Sequence, residues 1–202
     1  MSQKVKYLFT IILFLFSFSS YSAESVWKES YSLQAKGEYE KAIKVLVKAN
    51  VSGEYALLRY AYLNYLQGNY NTAINKYKQA IKLDPASIDA KLGVTLPLLA
   101  QKRWRQVKKY TLQILQQSHW NYTAHLRLMM AEQGMRSWDD LVTHAKQLAK
   151  VYPAAATPLV YLARAYAWKG KVRNAVTIYR KVLKRIPDHI EATQYIAKNS
   201  GH

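Results

Sequence analysis

Apolar residues along this chain recur at steps of three and four in segments of about a dozen residues, the spacing that turns one face of a helix toward a core. The segments are of two kinds. One, from about Tyr55 to Leu66, is apolar nearly all round; the next, from about Asn71 to Leu83, keeps its apolar residues to one side. A helix of the first kind needs cover on more than one side, so the alternation predicts paired helices stacked on further pairs. The punctuation agrees. Gly68 ends the first segment, where a positive φ costs it nothing, and Asp84-Pro85 ends the second, because proline neither continues a helix nor leaves the preceding residue free to be helical.

The pattern repeats with a fixed period. Gly68-Asn69-Tyr70-Asn71-Thr72-Ala73 aligns with Gly170-Lys171-Val172-Arg173-Asn174-Ala175, 102 residues later, which is three periods of 34. The two copies between appear as Lys102 with Trp104 and Val107, and Arg136 with Trp138 and Leu141; an earlier one is Gly37 with Tyr39 and Ala42, 31 residues before Gly68. Its missing residues fall in the connection near Val51, Ser52 and Gly53. Pro153 and Pro187 close later second helices, and His119 stands where the third would have its proline. Small residues Ala61, Ala73, Ala80, Ala163 and Ala175 allow close helix approach, with Tyr77 and Tyr179 filling the space between pairs. The expected repeats are 23–53, 54–87, 88–121, 122–155 and 156–189, followed by a capping helix over 190–198 that shields the last apolar face.

These residues resemble the tetratricopeptide repeat family. Tyr65-Leu66-Gln67-Gly68-Asn69-Tyr70-Asn71-Thr72-Ala73-Ile74 and Ala80-Ile81-Lys82-Leu83-Asp84-Pro85 stand close to its consensus. The resemblance implies an all-α, right-handed superhelical solenoid of about five helix-turn-helix repeats, with a concave groove lined by the first helix of each pair. Lys102 and Arg136 in place of the turn glycine depart from the consensus, as does Pro97 inside a first helix, where a kink is expected.

The first residues read differently. Lys4 and Lys6 precede an apolar run from Tyr7 to Phe18 and a small polar stretch to Ala23, the plan of a secretory signal occupying 1–22, with cleavage near 22/23. The run falls short of the roughly 20 apolar residues that span a bilayer. The expectation is export across an inner membrane to the periplasm as a soluble protein able to associate with membrane. Cysteine is absent, which excludes disulfides and thiolate metal sites. The formal net charge is +18, and +16 once Lys4 and Lys6 leave, so anionic surfaces are the natural partners: phospholipid, acidic polysaccharide or acidic protein rather than nucleic acid in this compartment.

No constellation for catalysis appears. His119, His125, His144 and His189 form no i, i+4 pair and no zinc motif, and there is no nucleophile elbow or phosphate-binding loop. Structural or surface roles are expected for the histidines, and favourable helix N-terminal placement explains Asp139-Asp140. The reading is a non-enzyme without cofactor or metal.

Two surfaces are left to carry function. The groove stripe implied by the resemblance comprises Trp27 and Tyr31; Leu58, Tyr62 and Tyr65; Leu92, Leu96 and Leu99; Leu126 and Met130; and Val160, Arg164 and Trp168. It is nearly all apolar, which predicts cover by a partner peptide, by another copy of the chain, or by the chain's own helices. The Lys and Asn with which chaperone-docking relatives grip a terminal carboxylate are replaced by Trp27 and Tyr31. The second surface is basic: Lys102, Arg103, Arg105, Lys108 and Lys109 crowd one turn and helix start, and form either a solvated face or a docking surface for anionic membrane or polysaccharide. The resemblance implies an adaptor that holds a segment of another cell-envelope protein, in outer-membrane assembly or polysaccharide export; direct binding of anionic glycan or lipid is the alternative.

Overall fold

The computed structural model describes residues 24–199, which are built from helices and connections. The signal assigned to 1–22 lies outside them. The helices are α1 (24–35), α2 (Tyr39–Lys48), α3 (Glu54–Leu66), α4 (Tyr70–Leu83), α5 (Ile88–Ala100), α6 (Trp104–Gln117), α7 (Tyr122–Gly134), α8 (Trp138–Val151), α9 (Thr157–Trp168), α10 (Val172–Leu183) and α11 (Ile190–Asn199). The chain divides into two compact units, the boundary falling between Pro97 and Leu98. None of the described helices is long and apolar enough to cross a membrane.

Every first-to-second helix connection is three residues long, and its middle residue has a positive φ: Gly37 76°, Gly68 81°, Lys102 56°, Arg136 59° and Gly170 70°. Each turn makes the same pair of hydrogen bonds. In the second, Asn69 N–H donates to Asn64 O (2.9 Å) and Gly68 N–H to Tyr65 O (3.0 Å); in the fourth, Ser137 N–H donates to Glu132 O (2.9 Å) and Arg136 N–H to Gln133 O (3.0 Å). This is the Schellman arrangement, which satisfies carbonyls the helix end would otherwise leave orphaned. Lys102 and Arg136 therefore take the backbone conformation that glycine takes elsewhere, and the departure from consensus changes the residue without changing the turn.

The returning connections use local caps. Asp84 Oδ1 accepts from Ala86 N–H (2.8 Å) and Ser87 Oγ from Ala90 N–H (3.1 Å), starting α5 just after Pro85. Asn121 Oδ1 accepts from Ala124 N–H (2.9 Å) at the start of α7. Helix α5 runs through Pro97 to Ala100, so the proline does not end it.

Packing in each unit follows the two kinds of segment. In the first unit Ala42, Leu46 and Leu63 are fully buried together, with Val26, Trp27 and Leu33 against them. In the second, Met129 of α7, Leu141, Ala145 and Leu148 of α8, and Leu162, Ala165 and Tyr166 of α9 form one cluster; Leu159, Val160, Tyr179, Val182 and Ala192 join α9, α10 and α11 in another. Tyr77 and Tyr179 are buried, and α11 covers the end of the last hairpin. Val160 was expected on the groove stripe; it sits in the core instead, because it faces Tyr179 and Val182.

Candidate functional site

The residues expected on the groove stripe lie on the first helices of the pairs, and their exposure varies. Tyr31, Tyr62, Met130 and Trp168 are exposed, Trp168 to 65%. Trp27, Leu58, Tyr65, Leu92, Leu96, Leu99, Leu126 and Arg164 are half-buried, and of these Trp27 and Leu126 pack against core clusters. The two units present them differently.

In the first unit a cleft of about 290 Å³ is lined by Tyr31 and Gln34 of α1, Tyr55, Leu58, Arg59 and Tyr62 of α3, Tyr77 of α4, and Asp89 and Gly93 of α5. Gly93 is the residue that lets α5 meet Tyr77: a Cβ built there would lie 2.1 Å from the ring. The aromatic wall is held by its own contacts. The Tyr31 and Tyr55 hydroxyls are 2.7 Å apart, Trp27 meets Tyr55 edge-on with centroids 4.9 Å apart, and Tyr65 lies between Tyr62 (6.2 Å) and Tyr70 (6.0 Å).

Arg59 is the unexpected member. It is 4% exposed, and its guanidinium lies over the Tyr31 ring, 3.8 Å from the centroid. Nε and Nη2 donate to Ser30 Oγ (3.3 and 3.2 Å) and Nη1 donates to Gln34 Oε1. Burial lowers its pKa from the ordinary arginine value. Nothing in the local sequence marks it, since it sits between Leu58 and Tyr60 like any helix-surface arginine.

The second unit has a related cleft, about 370 Å³, lined by Arg164, Ala167 and Trp168 of α9, Tyr179 of α10, and Glu191, Gln194, Tyr195 and Lys198 of α11. Here the arginine is neutralised. Nε donates to Glu191 Oε1 (2.8 Å) and Nη2 to Oε2 (2.5 Å), the two-pronged geometry guanidinium favours, and Tyr179 Oη donates to Oε1 (2.6 Å). The Arg164 hydrogen bonds hold the Glu191 carboxyl below its ordinary pKa, and the same pairing raises Arg164. Trp168 stacks on Trp138 with centroids 5.5 Å apart and planes 6° from parallel.

The expected basic surface is in the second unit. Lys102, Arg103, Arg105 and Lys109 are exposed, while Lys108 is half-buried and reaches Asp140 at 3.4 Å. Asp139 pairs with Lys169, so both acids at the start of α8 are spent on cations as well as on the helix terminus.

The structure also joins two histidines that sequence spacing left apart. His125 of α7 and His144 of α8 meet with Nδ1 and Nε2 2.5 Å apart; His125 Nε2 donates to His119 O (2.9 Å), and His144 Nδ1 faces Glu132 Oε2 at 3.1 Å. The ring nitrogens are used on one another and on Glu132, and no group of three potential metal ligands occurs among the described residues. This is a buried brace between α7 and α8.

With the geometry in hand, comparisons with known proteins place the fold. Residues 61–94 match a TPR repeat model and residues 159–189 a tetratricopeptide repeat model. MamA 41-end from Desulfovibrio magneticus RS-1 is similar in structure, with a TM-score of 0.74 at 16% identity, covering 83% of this chain and 97% of that one. YrrB, described as a TPR protein with an unusual peptide-binding site, gives 0.70 at 16% identity over 84% and 89%. A thermophilic TPR protein of Thermus thermophilus gives 0.62 at 17% identity over 86% and 97%. The comparison with curated proteins gives no match. The all-helical array of helix-turn-helix repeats is thus the tetratricopeptide solenoid arrangement.

Proposed function

We propose that this chain, an array of tetratricopeptide repeats, is a non-enzymatic scaffold of the bacterial cell envelope that holds a segment of a partner protein in the tyrosine-lined cleft of its first unit. One observation carries the reading. Tyr31 and Tyr62 stand exposed beside Tyr55 around an open cleft, in a fold whose structural neighbours include a protein described as having a peptide-binding site. Exposed aromatics with one apolar body and one polar tip are the side chains that supply most interface energy at least entropic cost. Export by residues 1–22 puts the scaffold in the periplasm, with outer-membrane assembly or polysaccharide export as the setting. The test replaces Tyr62 and Tyr65 by Ser and follows both cross-linking to envelope partners and thermal melting. Lost capture with unchanged melting supports the groove; a stable variant that still captures every partner removes it from the reading.

The basic turn of the second unit favours a second, separable role. Lys102, Arg103, Arg105 and Lys109 are exposed together, and their field is that of a surface drawn to anionic glycan or lipid. Binding to phosphatidylglycerol vesicles should then fall steeply with salt, since exposed charges are screened beyond about 8 Å at physiological ionic strength. Neutralising the four should abolish it. Equal binding by that variant leaves them a solvated face.

A further inference from the structure

The cation at the wall of the first cleft lacks a counter-charge. No carboxylate oxygen comes within 4.0 Å of Arg59 among the described residues, and its contacts are a serine, a glutamine and a tyrosine ring. A guanidinium carries five N–H groups. Three have the acceptors named above, which leaves one on Nη1 and one on Nη2 without an acceptor among these contacts. A buried charge without a partner is costly, and a protein that keeps one ordinarily gives it an anion.

The second unit offers a comparison within the same chain. Tyr77, Asp89 and Tyr62 stand 102 residues before Tyr179, Glu191 and Arg164, at the same places in their repeats. In the later copy the arginine, the acid and the phenol close on one another through Glu191. In the earlier copy the arginine stands three residues further back, at 59 instead of 62, and the acid is the shorter aspartate; the ion pair is open. Asp89 lies in the first turn of α5, where its charge already suits the helix N-terminus.

We propose that Arg59 is an anion-recognition residue of the first cleft, accepting the side-chain carboxylate of a glutamate carried in an apolar segment of the partner. The proposal rests on the groove reading and adds the charge its ligand must have. Glu191 is the precedent for the occupant: a glutamate side chain, borne on a helix with apolar neighbours, meeting an arginine beside a buried tyrosine. Charge complementarity points the same way, because the chain's excess of positive charge disfavours a second copy as the occupant.

The test uses the full chain and three fluorescent decapeptides of leucine and alanine. The first has one central glutamate and blocked termini, the second glutamine in its place, and the third that glutamine with a free terminal carboxylate. The glutamate peptide should bind about tenfold more tightly than the glutamine peptide, as a charge-assisted hydrogen-bonded pair provides. Arg59→Gln should erase the difference between the two peptides, and Asp89→Asn should widen it by removing a like charge from the cleft. Should Arg59→Gln fold poorly, the Nε–Hε nuclear magnetic resonance signal of Arg59 in the unaltered protein gives the same answer, shifting with the first peptide and not with the second. Equal affinity for glutamate and glutamine peptides, a preference that survives Arg59→Gln, preference for the free terminus, or no binding by any peptide overturns the proposal. If the peptides bind equally and Tyr62→Ser with Tyr65→Ser abolishes both, the groove stands and only the carboxylate falls.

Discussion

Replacing Gly93 by Ala sets two effects of opposite sign against each other. Gly93 lies inside α5, where alanine should stabilise by about 1 kcal/mol because glycine loses more backbone freedom on folding. The added methyl, however, would sit 2.1 Å from Tyr77 Cε1 and 2.6 Å from Cδ1 and Cζ. Tyr77 is 3% exposed, so its ring must give way by more than an ångström although it is held among buried neighbours on all sides but the cleft. Overpacking of that kind costs up to about 3 kcal/mol, which leaves a net loss of about 2 kcal/mol after the helix gain. For a chain of this size that lowers the melting temperature by roughly 4 to 8 °C. Thermal melts followed by circular dichroism should show the drop, and Gly93→Ala placed on Tyr77→Leu should recover a coupling energy of at least about 1 kcal/mol, since the shorter side chain vacates the clash. A single Gly93→Ala variant that melts higher than the parent refutes the packing argument. It would mean the ring turns into the cleft at no cost.

Three other outcomes follow from local geometry. Lys102→Gly and Arg136→Gly should each stabilise by about 0.5 to 1 kcal/mol, because both residues hold a positive φ that costs a side chain about 1 to 2 kcal/mol, partly offset by the freer unfolded glycine; urea melts that show losses instead would contradict the turn assignment. Burial holds His125 below its ordinary value of 6.5, so the folded chain resists a proton that the unfolded chain accepts: this contribution to stability is present above about pH 6.5 and lost as pH falls below it. His125→Gln should flatten that part of the pH–stability curve, and an unchanged slope would show that His144, Glu132 and the His119 carbonyl relax around the charged ring. Glu191→Gln should cost about 1 to 2 kcal/mol, less than a fully buried pair because about a third of each side chain meets water, and should bring forward melting of the last hairpin; no change in the melt would reduce the pair to a surface contact.

The period made the fold legible. Nothing in the chemistry of lysine or arginine predicts a left-handed turn, yet Lys102 and Arg136 fall where the 34-residue rhythm requires one, and the same two backbone hydrogen bonds hold them there. Repetition supplies what residue type does not, because each copy must return its second helix along the same path to keep the stack. Val160 shows the converse. Its place in the rhythm suggested groove, but packing by Tyr179 and Val182 turns that position into core.

The site was legible only as far as its residues lie on one helix face. Tyr31 and Tyr62 are part of an apolar stripe that a linear reading finds. Arg59 acquires its character from Ser30 and Gln34, 29 and 25 residues earlier, and His125 from His144, 19 later. Pair distances of that length carry no periodic signal, so chemistry assembled across helices stays hidden where packing within them does not. The two arginines make the consequence concrete. Arg164 and Arg59 line clefts that share several repeat positions, and only Arg164 lies on the stripe the sequence marks. One is satisfied by α11, whose first-turn Glu191 accepts from its Nε and Nη2; the other has no described carboxylate within 4.0 Å. The helix that shields the last apolar face thereby also pairs Arg164, and under the proposal made above the Arg59 cleft would be receptive because no glutamate of the described residues reaches its guanidinium.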